Sequence, residues 1–452
     1  MRPSSKQHRV RSTSGVITAL TLFAGLACND ITSLKQENQG ALSVETLYVP
    51  ANAQLLVNGT ISDFECAYNR YVVGVGLFTD ELTVAISQSA NFDYDARRVL
   101  TASTYGTNNC SSPTPSSTQQ PGIYTPLSVA RATADTATAY LESWTDAQVA
   151  NRQKLIGQAA TYAGYDLTLL GEAMCTAAIN LGPELQPAQL FTEAIARFTK
   201  GIAAATTAND QTTLNLARLG RARAELNLGG LGLTLGGNAN LTAAAADAAL
   251  IPTTFVATTS PDAVNPRRQN VVFLHVSQNA YSTVDTAFRH VNTPGDTSQD
   301  PRVAVTNLNR KGTATGSQLF IPNKDATVNS PVRVASYAEA QLIIAENAAR
   351  TGDLAGAVTA INNARSRTAG VPAYTLPVGA TAATVLAQVV EERRREFFVE
   401  GHRLGDLRRY NLPFLPAPGT PYFYGGNYGS QTCFPLPDIE RINNPTIAGA
   451  GT

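Results

Sequence analysis

The chain has 452 residues, and its 34 Lys and Arg balance its 34 Asp and Glu to a formal charge of zero. Bulk charge therefore offers no basic surface for nucleic acid. With 43% hydrophobic residues the chain can bury one large core or two adjoining ones, which argues against wholesale disorder.

The neutrality is uneven. Arg2, Lys6, Arg9 and Arg11 precede any acid, so the 425 residues from position 28 onward carry 30 bases and 34 acids, a net of about −4. The apolar run Val16–Ala27 follows and ends at Cys28. It is too short to span a bilayer, which takes about 20 residues, and it reads as the core of a secretion signal. Leu26-Ala27-Cys28 resembles a bacterial lipobox. That predicts a leader over residues 1–27, cut before Cys28, and acyl chains on Cys28 that anchor the chain in a membrane. Residues 28–40 are polar and read as a tether to a single body over 41–452.

Cys66, Cys110, Cys175 and Cys433 remain, an even number that permits two disulfides in an exported chain. Three pairings are open. The preferred one joins Cys66 to Cys110, closing a local loop, and Cys175 to Cys433, tying the middle to the C-terminal end. No two cysteines have the spacing of a zinc or iron–sulfur site.

Residues 41–90 read as two helices, and 106–124, rich in Gly, Asn, Ser and Pro, as a loop. Helices are then expected over Leu127–Trp144, Arg152–Gly171, Ala188–Ala205, Thr213–Leu226 and Ala243–Leu250, the apolar residues recurring at three and four. Helix, turn and helix alternate, and such pairs stack because neither member alone buries its apolar side. Residues 251–332 break the pattern with prolines, many Asn and Thr, and short apolar runs such as Val271–Leu274. They read as an irregular, loop-rich lobe with short strands that could shape a binding surface. Helices resume over Val334–Thr351, Leu354–Thr368 and Ala382–Glu400, with Ala338, Leu342, Ala345 and Ala349 facing Ala357, Ala360, Ile361 and Ala364. From Pro413 to Gly429 the chain is Pro- and Gly-rich.

Four blocks in this order resemble the RagB/SusD family of surface nutrient-binding lipoproteins. They are the lipobox; Tyr337-Ala338-Glu339-Ala340 leading to Ala360-Ile361-Asn362-Asn363-Ala364-Arg365; the long run Glu392-Arg393-Arg394-Arg395-Glu396-Phe397-Phe398 through Glu400-Gly401-His402-Arg403 to Asp406-Leu407-Arg408-Arg409; and Phe434-Pro435-Leu436-Pro437 with Glu440 and Asn444-Pro445. The third is long and specific. Two features depart from the pattern: Tyr410 stands where the family often has tryptophan, and the alanine-rich middle lacks a clear full repeat motif. The resemblance implies a mostly α, SusD-like fold, in which a tetratricopeptide-like helical-pair scaffold carries the lobe, and residues 333–445 form its C-terminal region. It also implies a lipid-anchored place on the outer face of the outer membrane. The family's partner there is a TonB-dependent β-barrel transporter, for which it captures glycan or peptide nutrients without catalysis.

Glu392, Arg394, Arg395, Glu396 and Glu400 fall within nine residues, and on a helix Glu392, Glu396 and Glu400 lie one turn apart. With Arg403 and Asp406 they read as a structural ion-pair block, the arginines reaching neighbours at three or four positions. Paired carboxylates can also do acid–base chemistry. No nucleophile elbow, HExxH or phosphate loop accompanies them, so an exported glycan hydrolase is the weaker alternative, beside a scaffold that binds no ligand. His402, His275 and His290 have no metal-site spacing. Asp93 and Asp95 flank Tyr94 and could hold a calcium ion with backbone carbonyls, though not in a recognised calcium loop. No other cofactor is expected.

A glycan site presents flat rings edged with polar groups. The candidate rings are Tyr94, Trp144, Tyr281, Tyr422, Tyr424 and Tyr428, with Tyr105 and Tyr124 in the wider set. Tyr281 lies in the irregular lobe, and Tyr422 to Tyr428 lie in a Gly-rich loop that could equally pack against the transporter.

Overall fold

A computed structural model describes residues 44–86, 89–107, 110, 121–232, 236–312 and 316–448. The expected leader, Cys28 and the tether lie outside the described residues. The chain divides into two compact units, residues 1–49 and 50–452. The first shows one short helix, Val44–Leu47; everything that follows concerns the second.

Nine helices of ten or more residues stand among the described residues: α1 (Ala53–Phe78), α2 (Tyr124–Ser143), α3 (Arg152–Ala173), α4 (Pro187–Thr207), α5 (Gln211–Gly230), α6 (Ala239–Ala248), α7 (Tyr337–Thr351), α8 (Leu354–Arg365) and α9 (Ala382–Glu396). Residues 41–90, read as two helices, hold the single long helix α1. Every α1 residue from Phe64 to Phe78 is buried, Glu65, Asn69 and Arg70 among them. It packs on α2 and α3.

The scaffold is a run of packed helical neighbours. Helix α3 packs on α2 and α4, α4 on α5, α5 on α6, and α7 on α6, α8 and α9. Small residues set the spacing. Phe198 of α4 wedges between α3 and α5, where a Cβ on Gly220 would stand 2.2 Å from its ring and one on Gly164 2.8 Å. The α7–α8 turn is built from Gly352 at φ +87° and from Asp353, whose side chain accepts the Gly356 N–H. Ala345, Ala349, Ala357, Ala360 and Ile361 then share one apolar cluster with Val385 and Val389 of α9. Arg223 of α5 locks onto Glu339 of α7 through two nitrogens at 2.6 and 2.8 Å, both side chains buried.

Three two-stranded antiparallel sheets stand among the described residues; two join the lobe to the scaffold and the third lies within the lobe. Strand β1 (Leu82–Val84), just past α1, pairs with β3 (Ser282–Val284). Strand β2 (Val256–Thr258) pairs with β6 (Arg333–Ser336), and β4 (Val305–Lys311) with β5 (Gln318–Pro322). Val334 to Ser336, read as the start of a helix, are therefore strand: β2 supplies their partners. Val272, Val284, Phe288, Val303 and Ile321 of the lobe join the main core. Helix α9 ends at Glu396, short of the expected Glu400, in a turn where Val399 has φ +53° and Gly401 φ +80°.

Cys66 of α1 is bonded to Cys110, and Cys175, just past α3, to Cys433. None of the helices among the described residues is long and apolar enough to cross a membrane.

Candidate functional site

Residues 419–428 fold back on themselves. The Tyr428 N–H donates to the Thr420 carbonyl, Gly419 N–H to the Tyr428 carbonyl and Tyr422 N–H to the Gly426 carbonyl, each at 2.9 Å. Gly425 at φ +103° and Gly426 at φ +70° make the turn, a backbone that glycine adopts freely. The hairpin lies on the short helix Ser89–Asp95. Its Tyr424 ring stacks on Phe92 at 4.0 Å, with Phe423 4.5 Å further on and Tyr422 4.5 Å from Phe423. Phe423 is 52% exposed, while Tyr422 and Tyr428 are buried beneath. The Arg98 guanidinium lies over Tyr422 at 5.5 Å, and Arg97 over Tyr428 at 5.1 Å. The buried Tyr424 hydroxyl has no hydrogen-bond partner among the described residues.

Of the rings expected to face a ligand, Tyr424 does so partly, and Tyr422 and Tyr428 serve as its support. Tyr94 does not: it is fully buried, its hydroxyl donating to the Pro121 carbonyl at 2.9 Å and its ring edge-on to Phe434. Tyr105 and Tyr124 are buried too. Trp144 is half-buried just past the end of α2, beside Tyr140, and Tyr281 is half-buried edge-on to His275. Neither joins the hairpin cluster. Phe92 and Phe423, the rings that complete the stack, were missed because a phenylalanine in a pattern is indistinguishable from core. The signal that could have found Phe423 was its place in a Gly-rich turn.

The two aspartates beside Tyr94 are engaged by the protein. Asp95 is buried, accepting Val84 N–H and the Thr83 hydroxyl at 3.0 Å and the Tyr422 hydroxyl at 3.2 Å. Burial pushes its carboxyl up to about 7 against those donors. Asp93 accepts from the Ser103 hydroxyl at 3.2 Å. Among the described residues, His, Cys, Asp and Glu gather nowhere in threes that could hold a metal ion.

The charged block is paired throughout, and its carboxylates reach much further than one helical turn. Glu392 accepts from Arg365 at 2.6 Å and Arg302 at 2.7 Å. Glu396 accepts from Arg333 at 2.8 Å, and Glu400 from Lys324 at 2.6 Å and Arg333 at 2.9 Å. Arg403 grips Asp80 through two nitrogens, each at 2.7 Å, and Asp406 holds Arg393 and Arg409. The neighbour pairing expected of Arg394 and Arg395 is present at Glu391 alone. Arg394 also covers the Phe288 ring at 4.3 Å, and Arg395 reaches Asp300 at 3.0 Å. The lobe and α8 cover the helix face that carries the glutamates, so their partners come from there. Arg302, Lys324, Arg333 and Arg365 were missed for that reason. His402 is buried and stacks on Phe397 at 4.3 Å; burial and the nearby guanidiniums hold its imidazole pKa far below the usual value. It is neutral and structural. Between the block and the lobe lies a cavity of about 270 Å³.

Residues 262–443 match the SusD family. The C-terminal part of the chain is thus similar to the SusD family over 182 residues. Solved structures with this fold agree over nearly their whole length. A SusD superfamily protein from Bacteroides vulgatus is 17% identical, with a TM-score of 0.65 over 88% of this chain and 97% of its own. One from Parabacteroides distasonis is 14% identical, with a TM-score of 0.63 over 90% and 98%. Surface glycan-binding protein A from Bacteroides thetaiotaomicron, in complex with laminarihexaose, is 14% identical, with a TM-score of 0.59 over 88% and 98%. No curated protein matches the sequence. At these identities the structural likeness speaks for the fold, and the family match covers the C-terminal part that contains the hairpin and the charged block.

Proposed function

We propose that this chain is a SusD/RagB-type cell-surface lipoprotein, anchored in the outer membrane through Cys28, that captures a glycan and passes it to a TonB-dependent β-barrel transporter. One observation carries the binding role: the stack of Phe92, Tyr424 and Phe423, half-open to solvent, with the Arg98 guanidinium beside it. Flat rings with an apolar body suit the C–H face of a sugar, and a few polar groups at the edge fix its orientation. The related protein solved with laminarihexaose adds to the case for a glycan over a peptide.

The role is binding without catalysis. Glu392, Glu396, Glu400 and Asp406 each hold an Arg or Lys in the fold, which leaves none of them poised as the acid–base pair a glycosidase needs. The reading requires no cofactor. The test is a calorimetric screen of the mature chain against oligosaccharides, laminarihexaose among them, with Phe423→Ala in parallel. Binding that disappears in the variant is expected. A chain that binds peptides but no glycan would end this reading.

A further inference from the structure

Arg97 lies just past the short helix Ser89–Asp95, 1% exposed and held at φ +51°. Few residues other than glycine take that conformation. Its hydrogen bonds run to backbone carbonyls rather than to carboxylates: Nη1 donates to Leu415 at 3.2 Å and Nη2 to Pro416. The same guanidinium lies over two rings, Tyr428 at 5.1 Å and Phe414 at 5.9 Å. Its Nε is buried and has no acceptor among the described residues.

A cation held in this way is a poor source of stability. Taking it out of water is expensive, and burial lowers its pKa accordingly, against the pull of Tyr428, Asp95 and Asp80. An apolar residue of similar volume would spare that cost. What a guanidinium supplies instead is geometry: a planar fork that stacks on rings while donating in its own plane.

Three segments meet at this fork. Residues 414–416 bring the two carbonyls and one ring, and the hairpin brings Tyr428. Segment 96–99 brings the guanidinium and the backbone on which the hairpin's end rests. Gly429 N–H donates to the Ala96 carbonyl at 2.7 Å, and a Cβ on Gly429 would collide with the Arg97 carbonyl. Gln431 accepts the Val99 N–H at 2.6 Å and donates to the Val99 carbonyl at 2.8 Å. The backbone hydrogen bonds within 419–428 join the hairpin's two arms to each other and not to the body. A lone two-stranded hairpin is marginally stable in water, so the body must hold it. From Arg97 a series of ring contacts leads outward: Tyr428 stands edge-on to Tyr422 at 5.0 Å, and Tyr422 lies 4.5 Å from the exposed Phe423.

We propose that Arg97 is the positioning residue of the aromatic hairpin. Its guanidinium fixes the hairpin and residues 414–416 against segment 96–99, so that the stack of Phe92, Tyr424 and Phe423 is rigid before a ligand arrives. A preformed platform spares the ordering cost of binding. The proposal rests on the reading of the hairpin as the glycan platform, and Arg97 itself touches no ligand.

Hydrogen exchange read by mass spectrometry, with calorimetric titration of laminarihexaose, tests it on the mature chain. In Arg97→Met, residues 419–428 should exchange about tenfold faster while α3 and α7 stay as in the wild type. Affinity should fall about tenfold at a temperature where a thermal melt shows the variant folded. Arg97→Lys keeps the charge over the rings but donates from a point, so it should lie between the two. Unchanged exchange over 419–428 would overturn the proposal and leave glycan capture standing. Faster exchange spread through α3 and α7 would make Arg97 a support of the whole fold and overturn it equally. A loosened hairpin with undiminished affinity would show that the platform needs no fixing, and would also sink it. A wild-type chain that binds no oligosaccharide would end the glycan reading instead. Faster exchange confined to 419–428 would then still uphold Arg97 as the residue that fixes the hairpin.

Discussion

The backbone N–H of Val399 donates to Oε1 of Glu81 at 2.8 Å, and the other oxygen of that carboxyl has no partner among the described residues. Glu81 thus pins the strained turn after α9 to the end of α1. Burial pushes its carboxyl up to about 8, outweighing the Val399 N–H, and the Asp80 charge adds to the rise. An unfolded glutamate titrates near 4.3. Between these values the folded chain keeps a proton that the unfolded chain has lost, so stability falls as pH rises through that window. One such group contributes at most about 1.4 kcal/mol per pH unit. Glu81→Gln keeps the acceptor for Val399 and removes the titration. Denaturant melts from pH 5 to pH 8 should show a shallower decline in Glu81→Gln than in the wild type. Equal slopes would mean that Glu81 is ionised in the fold.

Phe423 and Tyr422 are sequence neighbours with opposite duties. Phe423 is half-exposed, whereas Tyr422 is 3% exposed, sits beneath Arg98 and donates to Asp95. Phe423→Ala should cost less than about 1 kcal/mol of stability, as for a surface substitution, yet remove oligosaccharide binding. Tyr422→Ala should cost about 3–5 kcal/mol, as for a buried aromatic. Urea denaturation and calorimetry separate the two. Equal loss of stability in both variants would show that Phe423 is core rather than platform.

Glu346 is a heavily committed carboxylate of the C-terminal region. It accepts from Arg350 at 2.9 Å, from Arg409 and from the Tyr410 hydroxyl, inside a fully buried pocket. Burial works to raise its pKa, but Arg409, Arg350 and Arg393 outweigh that and hold it at about 2. A depressed carboxyl contributes stability above its unfolded pKa, and that contribution is lost as pH falls from about 4.3 towards 2. Glu346→Ala removes the carboxylate that two buried guanidiniums share and should cost about 3–5 kcal/mol. Glu346→Gln should flatten the acid limb of the stability profile between pH 4 and pH 2. An unchanged acid limb would assign that limb to other carboxylates.

Legibility followed the range of the interaction. The face Ala345, Ala349, Ala357, Ala360 and Ile361 shares could be read from three- and four-residue spacing because both helices and their turn are local. The strand at Arg333–Ser336 could not, since its partner, Val256–Thr258, lies some 75 residues earlier. Apolar spacing continues through Phe397 and Phe398 as if α9 ran on, and only the positive φ of Val399 and Gly401 stops it. Tyr94 and Phe92 share one short helix. Which of them faces outward is decided by a hairpin some 330 residues away, a relation that periodicity in so short a helix cannot carry.

The proposed surface location depends on Cys28. If it carries the lipid, Cys28→Ala should release the chain from the membrane fraction and lose labelling by a palmitate analogue, since none of the helices among the described residues is long and apolar enough to cross a membrane. Retention in the membrane with labelling gone would assign the attachment to a partner instead.

The second disulfide closes a far longer loop than the first, joining Cys175 to Cys433 across 258 positions. It fixes the segment that carries Phe434 to the end of α3, where Cys175 N–H donates to the Phe434 carbonyl at 2.8 Å. Phe434 in turn packs on Phe78 at 4.5 Å and on Tyr94 at 5.4 Å. Constraining so long a loop restricts the unfolded chain more than a short one does, so Cys175→Ser with Cys433→Ser should cost about 2–5 kcal/mol. The hairpin has its own tethers, Gly429 N–H to the Ala96 carbonyl at 2.7 Å and Arg98 to the Gly425 carbonyl at 3.4 Å. The double variant should therefore melt earlier and still bind oligosaccharide with wild-type affinity well below its melting temperature. Lost affinity at a temperature where the variant remains folded would make the disulfide part of the binding platform, and an unchanged melt would show that local packing alone holds Phe434.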